Sequence, residues 1–271
     1  MTLRVFSYGG GVQSTAALVL AAQSKIDFKT FLFCNVGEDS ENPATLTYVR
    51  DYARPFAGKH DIAFIELQKT RFGEPETLYQ HLTRPGSRSI GIPVRMNGSG
   101  APPRRSCTAD FKILVVDKWL RSHGAKTSGA QVGLGISLDE IERVKPNTDP
   151  DTIEWKENVF PLLDEVERPL TRQDCMNIIT SAGLPIPPKS SCWFCPYHKL
   201  SVWQEMRQNQ PELFQKSVEL ERFLNERRKM LGMDPVWFTR LMKPLDQSTH
   251  EYGQQGLFEE LDTCESGYCM V

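Results

Sequence analysis

The stretch Val5-Phe6-Ser7-Tyr8-Gly9-Gly10-Gly11-Val12-Gln13-Ser14-Thr15-Ala16 constrains the fold more than any other part of the chain. A short β-branched and aromatic run, three glycines, and then Gln-Ser-Thr opening an Ala/Leu/Val segment predict a strand, a tight turn and a helix. The first turn of a helix carries backbone N–H groups without an intrahelical partner and the positive end of the helix dipole, worth up to ~2 kcal/mol to a partly buried anion. Glycines let a phosphate approach the backbone and permit positive φ, while Ser7, Ser14 and Thr15 add hydroxyl groups. The same residues also suit a packing turn in an α/β protein that binds nothing there. No Gly-Lys-Ser/Thr follows the glycines, so this is not a Walker loop, and the Gly-x-Gly-x-x-Gly dinucleotide spacing is absent.

The rest of the chain alternates strand and helix patterns. Phe28 to Val36 is nearly all apolar, as expected of a central parallel strand buried on both faces. A helix over 44–58 and a third strand over 61–67 follow, and such alternation predicts crossover units around an open parallel α/β sheet. Ligands of such sheets sit beyond the carboxyl ends of the strands, which would bring Asn35, Gly37 and Glu38 beside the glycine turn. From Thr83 to Ala109 the regular pattern stops. Arg84, Arg88, Arg95, Arg104 and Arg105 occur there with no acid before Asp110, suiting a phosphate- or sulfate-bearing partner that guanidinium groups hold bidentately. A helix over 110–120 and a strand over 131–136 come next. Ser137 to Arg143 then sets Glu140 and Arg143 three apart, on one face if helical. From Lys199 onward the pattern is helical, with Phe214, Val218, Leu220, Glu221, Phe223 and Leu224 as a packing stripe.

The chain has 271 residues, 32 Lys and Arg against 34 Asp and Glu, so it carries no global polyelectrolyte signature and any nucleic-acid contact must come from a local patch. No long apolar run suits a membrane span and the N-terminus lacks signal-peptide character, giving an expectation of a cytoplasmic protein with no membrane partner. Seven cysteines in a reducing compartment favour metal, cluster or redox use over structural bridges. Cys192-Trp193-Phe194-Cys195 lets two thiolates reach one centre, as redox dithiol, zinc half-site or cluster half-site. Cys107 is a candidate third ligand, and Ser106, Cys175, His198 or the tail residues Cys264 and Cys269 are candidates for completing the set. Cys34, within a strand, reads as core.

Taken together, these motifs resemble the adenine-nucleotide alpha-hydrolase superfamily, whose members carry a pyrophosphate loop between the first strand and first helix. Ser7, Tyr8, Gly9, Gly10, Gly11, Gln13, Ser14 and Thr15 match that loop, with Gln13 where many ATP-using members have Asp. Gln13 is similar in this respect to phosphoadenylyl-sulfate reductases. Asn35, Gly37 and Glu38 match a nucleotide-binding element after the second strand. Gly135, Glu140 and Arg143 match a later one, in which Ser137 replaces the usual first Arg. The 84 residues between Cys107 and Cys192 are close to the separation in cluster-bearing adenylyl-sulfate reductases. Cys192-Trp193-Phe194-Cys195 also resembles the ATP pyrophosphatase component of DNA phosphorothioation systems.

The resemblance implies a nucleotide-binding domain over 1–198 and a helical region with a cysteine-containing tail over 199–271. It implies ATP and Mg²⁺ as ligands, and a [4Fe-4S] cluster on Cys107, Cys192 and Cys195. The implied reaction is ATP cleavage to AMP and pyrophosphate coupled to sulfur transfer, in DNA phosphorothioation. Implied partners are an adenine nucleotide, a sulfur donor such as a cysteine desulfurase, further modification proteins and a nucleic acid. The alternatives are a sulfonucleotide reductase and a nucleotide-binding subunit without chemistry of its own.

Overall fold

A computed structural model describes residues 2–96, 106–145 and 147–249. Five parallel strands, β1 (Leu3–Tyr8), β2 (Thr30–Cys34), β3 (Ala63–Leu67), β4 (Ala130–Leu134) and β5 (Lys156–Val159), form one sheet in the order β3-β2-β1-β4-β5. The expected open parallel α/β architecture is what the chain adopts. The order runs outward from β1 to β3 and then resumes on the other side of β1. The carboxyl ends of β1 and β4 therefore flank the switch point at which such sheets form a crevice.

The period of two along each strand divides the residues between two faces. Phe6, Tyr8, Phe31 and Phe33 point to one side and pack with α1 (Val12–Ala22) and the helix Arg172–Ser181. Val5, Leu32, Val132 and Leu134 point to the other and meet Val116 and Leu120 of the helix Leu114–Ser122. Gly133 makes the aromatic side possible, because a Cβ there would lie 2.7 Å from Phe6 and 2.9 Å from Phe28. A third apolar cluster sits off the carboxyl edge of the sheet. It joins Val36, Leu78 and Phe111 to Trp193, Trp203, Phe214, Leu224 and Phe238, so packing runs continuously across residues 198 and 199.

The helix expected over 44–58 is longer and broken in character. It begins at Pro43 with Asn42 accepting from the Ala44 N–H at 2.9 Å, widens to a π-helical turn over Val49–Ala53 and ends at Lys59. A short helix, Leu78–Thr83, follows β3. The helix expected over 110–120 begins at Ser106 and is π-helical over Ala109–Ile113. β5 was not legible as a strand. Lys156 is buried there through an ion pair of 2.7 Å with Asp117 of the facing helix.

Beyond residue 199, the helices Leu200–Asn209 and Pro211–Met230 are followed by a short strand, Val236–Trp237, that pairs antiparallel with Arg95–Met96. Phe214, Leu220 and Leu224 of the stripe are buried, whereas Phe223 faces outward. Glu221 is also buried, and its two carboxylate oxygens accept from the N–H groups of Phe238 at 2.7 Å and Leu245 at 2.8 Å. Burial pushes this carboxyl up to about 7. Among the described residues no helix is long and apolar enough to cross a membrane.

Candidate nucleotide site and cysteine corner

The β1–α1 junction is built for close approach. Gly10 has φ +79°, and a Cβ on it would lie 2.8 Å from Thr45 Cγ2 and 3.4 Å from Ser190 Oγ. Gly11 caps α1 in extended conformation with no side-chain cap bond and no acid in the first turn. The opening amides of α1 are thus left for an external acceptor. Ser14 Oγ donates to the Gly11 carbonyl at 3.1 Å. The Tyr8 and Thr15 side chains lie inside, their hydroxyls 2.8 Å apart in the core. These two therefore fix the turn, and only their backbone is near the junction.

In front of α1 lies a cleft of about 400 Å³ bounded by Gly11, Gln13, Arg172, Lys189, Ser190 and Lys199, with no acidic side chain on its walls among the described residues. Lys199 stands at the start of the helix Leu200–Asn209, which also has no side-chain cap bond. A second set of helix-opening amides therefore borders the same space. Arg172 opens the helix Arg172–Ser181, and its backbone N–H donates to the Asp139 carboxylate. Ser190 Oγ is buried with no hydrogen-bond partner among the described residues. Three cations, two helix starts and a hydroxyl without a partner among the described residues give this space the chemistry that suits a polyanion.

β4 closes the other side. A Cβ at Gly135 would lie 3.1 Å from the Ser14 backbone nitrogen, so the segment after β4 rests on the first turn of α1. Gln13 Nε2 donates to Ser137 Oγ at 3.4 Å. The following 3₁₀ turn, Leu138–Arg143, places Glu140 and Arg143 one turn apart, and they pair at 2.6 Å with each side chain 5% exposed. Burial raises the Glu140 carboxyl from its usual range, with Arg143 opposing it. Glu140 Oε1 is buried without a hydrogen-bond partner among the described residues.

At the end of β2, Asn35 is used at both ends of its amide, donating to Glu66 at 2.8 Å and accepting from the Gly37 N–H at 2.8 Å. Gly37, at φ +119°, has Thr77 where a Cβ would be, 2.5 Å away. Asn35 and Gly37 are thus loop-shaping residues, while Glu38 is exposed at the sheet edge. Ser7, Gly9, Gly10, Gly11, Gln13, Ser14 and Gly135 converge on the start of α1. Glu38 lies on the loop after β2, and Glu140 and Arg143 on the 3₁₀ turn after β4.

The Cys192–Cys195 turn is held against this edge. Cys192 bridges Glu41 in antiparallel fashion, Trp193 Nε1 donates to the Asp39 carbonyl at 2.9 Å, and the Cys195 N–H donates to the Cys192 carbonyl at 3.1 Å. His198 Nε2 donates to the same carbonyl at 3.0 Å, and burial pushes this imidazole down to about 4, leaving it neutral at pH 7. Glu41, opposite Cys192, is buried. Its carboxyl is raised by that burial, with Lys112 acting against the shift.

Cys107 sits in the first turn of its helix, its N–H donating to the Gly91 carbonyl at 2.7 Å. Cys107 and Cys192 both pack against the apolar cluster at the sheet edge. Among the described residues, however, no three His, Cys, Asp or Glu side chains are grouped so as to hold a metal ion. Cys107 is fixed by its helix start, and Cys192 and Cys195 by a turn pinned through His198 and Trp193. Thiols are the donors that an iron–sulfur cluster takes. Cys34 and Cys175 are buried in the core, which pushes both thiols up to about 12. Arg104, Arg105, Cys264 and Cys269 lie outside the described residues.

Sequence reasoning missed Arg172, Lys189 and Lys199. Each is an isolated cation in a segment read as scaffold or as the flank of the cysteine pair, and no spacing links them.

No protein-family model and no curated protein matches the chain. Among solved structures it is similar to the U34-tRNA thiolase NcsA from Methanococcus maripaludis with its [4Fe-4S] cluster. The two share 16% identity over 82% of this chain and 72% of that one, with a TM-score of 0.39. The fold class rests on the sheet itself.

Proposed function

We propose that this protein is an ATP pyrophosphatase of the pyrophosphate-loop superfamily that adenylates an acceptor for sulfur transfer, with a nucleic acid as acceptor, as in DNA phosphorothioation. The observation that carries the reading is the cleft without carboxylates, ringed by Arg172, Lys189, Lys199 and the uncapped start of α1. An acceptor oxygen attacks the α-phosphorus, pyrophosphate leaves, and a sulfur nucleophile later displaces AMP. The leaving group takes up negative charge as the α–β bond breaks. Fixed amides and cations aimed at the leaving group stabilise that state more than the ground state. Because the cleft walls hold no carboxylate, Mg²⁺ would enter with the nucleotide, ligated by its phosphates, and offset part of their charge. Adenine and ribose would lie toward Glu38 at the end of β2. The cysteine corner, with Cys192 beside Glu41, would face the sulfur donor, a protein such as a cysteine desulfurase.

A sulfonucleotide reductase is the second reading. It is favoured by the neutral Gln13 in a first turn without acids, which suits a substrate bearing sulfate or an additional phosphate.

Product analysis by phosphorus NMR separates the readings. AMP and pyrophosphate in equal amounts are expected from ATP, and Lys189→Ala or Lys199→Ala should each weaken nucleotide binding about tenfold, the scale of one lost charge-assisted bond. ADP and phosphate as products, or full affinity in both variants, would overturn the proposal. Sulfite from a sulfonucleotide would establish the second reading. An anaerobic preparation assayed for iron and acid-labile sulfide tests the implied cluster directly.

A further inference from the structure

A hairpin leaves the carboxyl end of β3 at the same sheet edge as the cleft. Thr70–Arg71 pairs antiparallel with Glu74–Pro75, and the tip is Phe72 at φ +53° and Gly73 at φ +91°. Two central residues with positive φ are what a type I′ hairpin turn requires, and Asn, Asp or Gly adopt that conformation readily. A phenylalanine there is strained. It is also 91% exposed, so it adds nothing to any core. The fold would be served better by a small polar residue at this position.

The surroundings indicate what the ring meets. The Arg71 guanidinium covers one face, 4.8 Å from the ring centroid, and the rest of the ring stands in solvent. Lys118 Nζ donates to Thr70 Oγ1 at 3.1 Å and fastens the hairpin to the neighbouring helix. Beneath the tip runs a groove of about 480 Å³, bounded by Arg71, Phe72, Glu74, Gln80 and Arg84. Glu76 at its base is already paired with Arg84 and, at 3.5 Å, with Lys69. With Lys69 and Arg84 taken up by Glu76, the cations Arg71 and Lys118 at the hairpin stand against one further acid, Glu74. A lone aromatic ring among cations lacks the contiguous apolar surface that a protein hot spot buries. A flat π-face beside phosphate-binding groups is how single strands are held.

We propose that the Phe72 hairpin is a stacking platform for a base of a single-stranded nucleic acid, with Arg71 and Lys118 taking the adjacent phosphates. This deepens the nucleic-acid acceptor of the proposed function and rests on it. The platform would hold the acceptor strand at the edge where the activated nucleotide is bound.

The test uses the intact chain and fluorescence anisotropy with a short labelled strand of mixed sequence, as DNA and as RNA, beside the DNA duplex. Phe72→Asn should weaken single-strand binding roughly tenfold, within the range that loss of one stacked base produces. Its thermal midpoint should be equal to or above that of the unaltered protein, because Asn tolerates the left-handed conformation. Arg71→Ala should flatten the salt dependence by about 0.7 in the logarithmic slope, one phosphate's worth. Equal binding by Phe72→Asn and the unaltered protein, or no binding of either single strand, overturns the assignment. Pyrophosphate release from ATP by the unaltered protein is followed in parallel. If release is absent while Phe72-dependent binding persists, the proposed activity fails and the hairpin assignment stands. Normal release with Phe72-independent binding removes only the latter.

Discussion

Replacing Gly10 by alanine tests the geometry of the proposed nucleotide seat without touching a charge. Two costs add. Alanine at φ +79° occupies the left-handed region, at ~1–2 kcal/mol. Its methyl group would then stand 2.8 Å from Thr45 Cγ2, well inside the carbon–carbon optimum of about 3.5–4.0 Å. Thr45 is fully buried, so overpacking there costs a further ~1–3 kcal/mol. The expected loss is about 3 kcal/mol, read from urea denaturation followed by tryptophan fluorescence. Thr45→Ser removes the offending methyl group and separates the two costs. The double variant Gly10→Ala with Thr45→Ser should be more stable than the sum of the single effects by ~1–2 kcal/mol, the steric share, while the backbone share remains. Repeating the series with ATP should show that the alanine variant has also lost the nucleotide-dependent rise in stability, because the turn must shift to admit the methyl group. A Gly10→Ala protein within about 0.5 kcal/mol of the parent, or a cycle with no coupling to Thr45, would refute this account of the turn.

Two further expectations follow from buried titratable groups. Glu221 holds its proton up to about pH 7 when folded, against an ordinary value of 4.5. The folded state therefore binds the extra proton between those values. Stability should fall as pH rises through that window, by roughly 3 kcal/mol at full extent, with no penalty below it. Glu221→Gln should abolish that slope, and an unchanged slope in urea midpoints measured across the window would count against it. Cys34 and Cys175, with thiols pushed up to about 12, expose almost no thiolate near neutrality. Mass spectrometry after brief iodoacetamide treatment should find both unmodified in native protein and alkylated in urea. Native labelling at the rate of an unstructured thiol would contradict their placement.

The sequence made some of this legible because local chemistry alone decides it. Three glycines between an apolar strand and an apolar helix admit few other structures, and the run Phe28 to Val36 reads as a buried strand in any context. β5 escaped notice because Lys156-Glu157-Asn158 has no apolar period. The strand pairs in parallel with β4, and its buried lysine meets Asp117, far away in the chain. The π-helical turns at Val49–Ala53 and Ala109–Ile113 carry no composition that distinguishes them from ordinary helix. The glycine turn ahead of α1 was readable, whereas the cations across the cleft from it were not. Arg172, Lys189 and Lys199 meet α1 only through tertiary packing, and residue type without spacing gives no reason to join them.

The first turn of α1 is gripped from both flanks, by Thr45 and Ser190 across Gly10 and by the chain at Gly135. A loop held in this manner has no alternative shape to abandon when a ligand arrives. Its amides are set in place beforehand, so a phosphate of the proposed nucleotide would lose its hydration shell to donors that need no rearrangement.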